Sequence, residues 1–174
     1  MSTLTVKELA APTGYDLKIA SGETLDLKSQ GTVTMPTGSV LQVVQATRTN
    51  TQNGGFLLAT NSASFQATTL TASITPSSTS SKIYVMVNST IYTSNNASVT
   101  LFRDSTNIGG STYGFGRLTN PDDVWEAVSI TYLDSPSTTS SITYKLGARS
   151  ESSNIYVGGD SDQINSITLM EVAG

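Results

Sequence analysis

One segment near the middle of the chain, residues 82–92 (KIYVMVNSTIY), is apolar on both faces if it forms a β-strand. Successive side chains of a strand point to opposite faces of the sheet. We therefore expect a central strand whose first face fills the core of a β-sandwich and whose second face meets another sheet or another copy of the chain. The first face carries Ile83, Val85, Val87 and Ile91, and the second carries Tyr84, Met86 and Tyr92.

The rest of the sequence repeats this alternation in runs rich in Thr, Val, Ile and Tyr, which favour strands. Ser and Thr make up 53 of the 174 residues, yet only 13% of residues are charged, whereas disordered chains combine high charge with few β-branched residues. The sequence thus predicts an all-β fold, an antiparallel β-sandwich or jelly-roll-like knob. Strands are expected at residues 40–47, 56–58, 63–74, 82–92, 98–103, 106–109, 124–133, 142–148, 154–157 and 166–172.

Local features refine this prediction. Asp104 and Ser105 separate two short strand patterns and should turn a hairpin. The Pro/Ser/Thr-rich loops at residues 75–81 and 135–141 are alike and sixty residues apart. We expect them to lie at the same end of the sandwich and to lead into one strand of each sheet. Trp125, the only tryptophan, is predicted to lie in the core.

The first forty residues show an approximate eight-residue repeat of apolar pairs, punctuated by glycine. This pattern predicts short strands that are too small to stand alone and that three copies wound about an axis would bury. An ordinary meander packed on its own domain is the alternative. We predict an oligomerisation region at residues 1–38 and a β-sandwich knob at residues 39–174. The pairs are Leu17 and Ile19, Leu25 and Leu27, Val33 and Met35, and Leu41 and Val43.

The chain lacks histidine and cysteine, which excludes imidazole and thiolate chemistry in catalysis and metal binding. Carboxylates remain, in one cluster of Asp122, Asp123 and Glu126 and another of Asp160 and Asp162. Both clusters adjoin Pro or Gly, where Asp commonly caps turns. We predict that the chain is not an enzyme, has no cofactor and binds no metal.

Charge and hydropathy also limit the partners. The net charge is −4, and binding to phosphates requires a basic surface, so we expect no nucleic acid partner. No apolar run is long enough to span a membrane, and the N-terminus lacks a secretory signal pattern. We therefore expect synthesis in the cytoplasm and no membrane association.

The Gly/aromatic loop at residues 110–121 (GSTYGFGRLTNP) is the main candidate ligand loop, and the loop around Asn95 and Asn96 is the alternative. Tyr113, Phe115 and Arg117 alternate with glycines, and exposed rings can stack on sugars or anchor a protein partner. In the alternative reading, Tyr113 and Phe115 tuck into the edge of the sandwich.

Several fragments, in this order, resemble a group of small virion proteins of tailed bacteriophages from marine and cyanobacterial hosts. The resemblance extends over nearly the whole chain, although each fragment alone is of low complexity. The fragments are MSTLTV at 1–6, GSVLQVVQ at 38–45, ITPSS at 74–78 with SKI at 81–83, FRDS at 102–105, LDSP at 133–136 with YK at 144–145, and SITLMEV at 166–172.

The resemblance implies a trimeric component of the virion's outer surface with an N-terminal attachment region and a C-terminal β-knob. A capsid decoration protein (cement or head fibre) that stabilises the capsid is the expected role, because forty residues provide little fibre shaft. A short tail-fibre tip that recognises a host-surface glycan is the alternative. The expected partners are two further copies of the chain and the major capsid protein or another virion protein.

Residue roles follow from that expectation. Capsid docking is assigned to Leu4, Val6 and Leu9, and an extended arm of this kind can add a strand to a sheet edge. The trimer interface is assigned to the repeat, with three residues of the knob in addition. The interface residues are Leu17, Ile19, Leu25, Leu27, Val33, Met35, Tyr84, Met86 and Met170.

Overall fold

The computed structural model describes Ser21 and residues 35–49, 55–119, 123–159 and 163–174. The chain divides into two units, Met1–Thr34 and Met35–Gly174, and all strands described here belong to the second. The described residues contain no helix, and their eleven strands confirm the predicted all-β fold. The strands are β1 (Val40–Thr49), β2 (Leu58–Thr60), β3 (Gln66–Ile74), β4 (Lys82–Thr93), β5 (Ala97–Arg103), β6 (Thr106–Asn107), β7 (Gly116–Leu118), β8 (Val124–Asp134), β9 (Ile142–Ser150), β10 (Ile155–Val157) and β11 (Ile164–Val172).

The strands form two antiparallel sheets. In sheet A, β8 pairs with β4 over the length of β8, and the other side of β4 is shared by β11 and β10. β1 flanks β11, and β2 flanks β10. In sheet B the order is β3-β9-β5, and the far side of β5 is shared by β6 and β7. β1 and β11 contact β3 of the other sheet, which gives the predicted sandwich.

The two sheets enclose one apolar core, and β4 lies at its centre as predicted. Ile83, Val85, Val87 and Ile91 are fully buried, because their shared parity points them toward sheet B. Burying an aliphatic side chain contributes roughly 1.5–3 kcal/mol relative to exposure. The chain contains no cysteine, so this core is stabilised without disulfides. Fully buried partners from other strands include Leu70, Leu101, Tyr144, Leu146, Ile155, Ile167 and Leu169.

The two similar loops lie at one end of the sandwich, as predicted. Ile74 pairs with Ile142, and Ile83 pairs with Asp134, so the residues that flank both loops meet at the same strand ends. The first loop leads from β3 in sheet B to β4 in sheet A, and the second leads from β8 in sheet A to β9 in sheet B. Each loop therefore enters a strand of a different sheet.

A buried glutamate anchors the first loop. The Glu171 Oε1 atom accepts hydrogen bonds from Ser77 N at 2.6 Å, Ser77 Oγ at 2.6 Å and Ser81 Oγ at 2.7 Å. Gln42 Nε2 donates to Oε2 at 2.6 Å. Desolvation by burial raises the pKa of Glu171, but the hydrogen bonds from Ser77, Ser81 and Gln42 outweigh it, and the pKa is lowered overall. The loop is thus held by an ionised carboxylate.

A second carboxylate joins the two sheets where the other loop begins. Asp134, at the end of β8, accepts a hydrogen bond from the Tyr144 hydroxyl at 2.6 Å and pairs with Arg103 Nη1 at 3.0 Å. Tyr144 and Arg103 belong to sheet B. Burial, and then the hydrogen bond to Asp134, raise the pKa of the Tyr144 phenol far above its ordinary value, so the hydroxyl remains a proton donor.

The predicted hairpin at Asp104 and Ser105 is present between β5 and β6. Asp104 has a φ of 54°, a left-handed conformation that Asp tolerates better than most residues. Its backbone N donates to Thr143 O at 2.7 Å, and its Oδ1 accepts from Thr143 N at 2.9 Å. The turn is therefore tied to β9.

Candidate assembly surface

Sheet A has one face on the core and a second face that no other described strand covers. This second face, called the outer face here, carries the side chains of β4 that alternate with its core residues. Tyr84, Met86 and Tyr92 are half-buried on it. The outer face is therefore the second apolar side of β4 that the sequence predicted, and within the described residues no further sheet packs on it.

Four apolar side chains form a continuous row across the outer face, called the apolar row here. The register pairs Val43 with Met170, Met170 with Tyr84, and Tyr84 with Leu133. Val43 is 55% exposed and Leu133 is 46% exposed, and these two residues lie on the edge strands β1 and β8. Scattered exposed apolar residues are normal on a monomer, but a contiguous patch often marks an interaction site.

The next two rows are more polar. Gln45, Thr168, Met86 and Thr131 form the first of them, and Gln45 Nε2 donates to Thr168 Oγ1 at 3.0 Å. These two rows lie between the apolar row and Tyr92, toward the other end of β4. The second polar row consists of Thr47, Ser166, Asn88 and Ser129.

An aromatic cluster occupies the opposite end of the outer face. The Tyr92 ring lies 5.3 Å from that of Trp125 and 5.9 Å from that of Tyr156. Phe56 lies 4.7 Å from Tyr156 and 6.2 Å from Trp125. Desolvation, and then a hydrogen bond with Asp123, raise the pKa of the Tyr92 phenol. Trp and Tyr are the residues most enriched among interface hot spots.

The prediction that Trp125 lies in the core is wrong. Its side chain is 39% exposed, because it pairs with Tyr92 on the outer face. The apolar side chains of β8 that do reach the core are Val128 and Ile130, on the other parity. Both faces of β8 are apolar, and only one of them meets sheet B.

The structure brings together the three knob residues that were assigned to a trimer interface. Tyr84 and Met170 are direct neighbours in the apolar row, and Met86 lies in the adjacent row. Met35 precedes β1 and is exposed. The remaining predicted docking and interface residues lie outside the described residues, and they are Leu4, Val6, Leu9, Leu17, Ile19, Leu25, Leu27 and Val33.

The residues of the predicted ligand loop have different surroundings. Phe115 packs edge-on against Tyr132 with centroids 5.0 Å apart and adjoins the core. Arg117 Nε donates to Glu151 Oε1 at 2.9 Å, and its guanidinium lies 5.1 Å from the Tyr113 ring centre. Tyr113 is 49% exposed. Of the two aromatic residues, Tyr113 is the exposed one.

Three of the described carboxylates have structural roles. Asp134 and Glu171 accept the hydrogen bonds given above, and Glu151 forms an ion pair with Arg117 at 2.5 Å. Within the described ranges there is no group of three side chains suited to holding a metal ion. The same ranges contain no helix with the length and hydropathy to cross a bilayer.

Sequence reasoning did not single out Val43, Leu133, Phe56 or Tyr156 as surface residues. The one sequence signal for this surface was the alternation in β8, which places Leu133 and Trp125 on the same face of the strand. Joining them with Val43 and Met170 requires the pairing of β1, β11, β4 and β8, whose partners are up to about 130 residues apart in the chain. Comparisons of the sequence with protein-family models and with curated proteins found no match.

Proposed function

We propose that this chain is a non-enzymatic structural protein of a bacteriophage virion, a trimeric capsid decoration protein of the cement or head-fibre kind that docks on the capsid and stabilises it. The observation that carries the proposal is the outer face of sheet A, where the apolar row and the aromatic cluster lie partly exposed on the side away from the core. This surface suits assembly with other chains.

The energetics favour association through this face. Val43 and Leu133 are each about half exposed, so covering either one fully would contribute about half of the roughly 1.5–3 kcal/mol that burying a whole aliphatic side chain provides. Association itself costs at least several kcal/mol, so one such contact is insufficient. A trimer places three copies of the same face around one axis, and the contributions of the row and the cluster add across three interfaces. Threefold display also multiplies weak contacts with a capsid into strong avidity.

The assignment to a virion rests on the sequence resemblance given above, and the trimer takes its support from both the resemblance and the outer face. The docking role of Leu4, Val6 and Leu9 and the interface role of the N-terminal repeat are part of the same proposal. The chain would act on the outer surface of the particle after synthesis in the host cytoplasm.

Two measurements test the proposal. Native mass spectrometry of the full chain at micromolar concentration should show a trimer, and a monomer would contradict it. Antibodies against the knob, labelled with gold, should bind the heads of the phage particles in electron micrographs. Labelling of the tail tip alone would contradict a decoration role, and unlabelled particles would contradict any virion role.

The receptor-binding alternative is favoured by one observation, the exposed ring of Tyr113 beside two arginines. Arg117 lies 5.1 Å and Arg149 lies 5.9 Å from the ring centre, and Tyr113 is still 49% exposed. A tail-fibre tip of this kind would stack Tyr113 on a host-surface glycan. Tyr113→Ala would then abolish adsorption to host cells while heads stay intact, whereas a decoration protein would tolerate it.

A further inference from the structure

The two outermost long strands of sheet A run in opposite directions. β1, β11, β4 and β8 are consecutive neighbours, and each neighbouring pair is antiparallel. β4 is therefore parallel to β1, and β8 is antiparallel to it. A second copy placed beside the first in the same orientation would bring its β1 next to β8 as an antiparallel neighbour, which is the pairing found within sheet A.

We propose that β8 of each copy lies beside β1 of the next copy, with Leu133 next to the neighbouring copy's Val43. This inference rests on the proposed function in one respect, since it requires that the chain associates with itself. It goes further by assigning the edges that meet, their direction and their register.

Over the segments proposed to meet, both edges lack most of the features that protect natural edge strands. Such edges usually carry charges, proline, bulges or a short length. Residues 127–133 of β8 (AVSITYL) include no charged residue and no proline, and their register with β4 is continuous. Residues 40–47 of β1 (VLQVVQAT) also include no charge. The register of β1 with β11 is irregular between Val40 and Gln42 and continuous from Gln42 to Thr49, which includes the residues proposed to pair. Within the described part of the chain, β8 pairs only with β4 and β1 only with β11.

The free side of β8 is also open. A groove of about 340 Å³ lies between β8 and the segment that contains β7, lined on the β8 side by residues 126–130 and on the other by Phe115, Gly116, Arg117, Leu118 and Thr119. Along residues 126–130 of β8, open space therefore separates this edge from the segment that contains β7.

The apolar row determines the register. Its two exposed members, Val43 and Leu133, lie at opposite edges of sheet A. Directly opposed side chains in an antiparallel pair have Cβ atoms about 4.5–5.5 Å apart. The proposed pairing therefore covers both residues at once and extends the row from one copy into the next. In the same register Thr131 lies opposite the neighbouring copy's Gln45.

This arrangement is compatible with the outer faces turning toward a common axis. In such a trimer the three copies of sheet A form the sides of a triangular prism, with their strands along the axis. Neighbouring sheets then meet at their edges, so that β8 of each copy approaches β1 of the next. The interface is heterologous, and such interfaces close into rings when the rotation permits. A twofold dimer would instead pair β8 with β8.

A disulfide experiment tests the proposal, and the absence of cysteine makes it clean. Val43→Cys with Leu133→Cys, oxidised under native conditions in the full chain, should yield covalent dimers and trimers that disappear on reduction. Within one copy these positions are three strands apart, about 14 Å, whereas a disulfide requires Cα atoms within roughly 7 Å. Any disulfide must therefore join two copies. Gln45→Cys with Thr131→Cys, in the adjacent row, should give the same products.

Three controls make the outcome decisive. Val43→Cys alone and Leu133→Cys alone should remain monomeric on non-reducing gels, and a dimer of the latter would overturn the proposal in favour of β8–β8 pairing. Val43→Cys with Ser129→Cys is out of register by four residues and should not cross-link. If native mass spectrometry shows a trimer and neither in-register pair cross-links, the edge pairing is wrong and the proposed function stands. A chain that is monomeric by native mass would remove both.

Discussion

Ser77 donates two hydrogen bonds to Glu171, from its backbone N and from its Oγ, both 2.6 Å from the Oε1 atom. The two residues are 94 positions apart in sequence. Glu171, whose carboxylate accepts both bonds, is fully buried. The loop at residues 75–81 is therefore held by one ionised group, and this makes its stability depend on pH.

Lowering the pH should destabilise the knob through Glu171. The pKa of Glu171 is lowered in the folded state, so its carboxylate contributes stability at pH values above the ordinary Glu pKa of about 4.3. That contribution is lost as the pH falls through the folded pKa. Urea unfolding measured from pH 7 to pH 3 should show the stability decreasing below about pH 5.

Glu171→Gln isolates this effect. Hydrogen bonds to charged groups contribute about 1.5–3 kcal/mol, so the variant should be less stable by at least that range at pH 7 and should lose part of the acid sensitivity. Glu151, whose pKa is also lowered, first by the hydrogen bond with Arg117, would supply the remainder. An unchanged pH profile in Glu171→Gln would contradict the assignment.

Mutating the second carboxylate, Asp134, should destabilise the knob more than mutating its partner Tyr144. Tyr144→Phe removes one hydrogen bond and leaves Asp134 paired with Arg103, at a cost of about 1.5–3 kcal/mol. Asp134→Ala leaves the buried Tyr144 hydroxyl and the Arg103 guanidinium without their acceptor, and breaking a buried pair in this way costs about 3–5 kcal/mol. Denaturant unfolding of both variants measures the difference, and equal costs would show that Arg103 does not need Asp134.

Charges introduced in the apolar row should dissociate the assembly and leave the fold intact. Tyr84→Asp with Leu133→Asp places two carboxylates on the outer face, where each lost hot spot weakens association by more than 1 kcal/mol. We expect a monomer by native mass spectrometry with an unchanged circular dichroism spectrum. Ala67→Asp with Ser73→Asp adds the same charge on exposed positions of β3 in sheet B and should remain a trimer.

The same assay compares two regions proposed for the interface. Leu25→Asp with Leu27→Asp changes the N-terminal repeat, which the sequence analysis assigned to the trimer interface. If this variant is monomeric and Tyr84→Asp with Leu133→Asp is still a trimer, the repeat carries the association and the outer face does not. Loss of the trimer in both variants would show that both regions are required.

Trp125 should report assembly by fluorescence. It is the only tryptophan and belongs to the aromatic cluster on the outer face, so covering that face should shift its emission to shorter wavelength and protect it from iodide. In Tyr84→Asp with Leu133→Asp, the emission should shift to longer wavelength. Leu133 is eight residues from Trp125 along β8, about 27 Å, so a change there reports dissociation rather than a local contact. Identical spectra would contradict coverage of the cluster.

The alternation in residues 82–92 was sufficient to predict which side chains of β4 are buried, because a strand's side-chain period is set by local backbone geometry. The hairpin at Asp104 was predictable for a similar reason, since turn preference is local. Trp125 was misplaced because both faces of β8 are apolar. Which face of β8 meets the core depends on where sheet B packs. The residues next to Trp125 in the sequence carry no signal of that packing.

For the candidate surface as well, some features were predictable from the sequence and others required the tertiary structure. By itself the sequence determined the long strands, the parity of Tyr84, Met86 and Leu133, and the turn at Asp104, all of which depend on neighbouring residues. It missed β7, which lies inside the segment predicted as a ligand loop. The tertiary structure decided that Val43, Met170, Tyr84 and Leu133 stand in one row, and that Ser77 meets Glu171. These contacts depend on pairing register between strands distant in the chain, and the physical reason is that register is selected by the packing of the whole core.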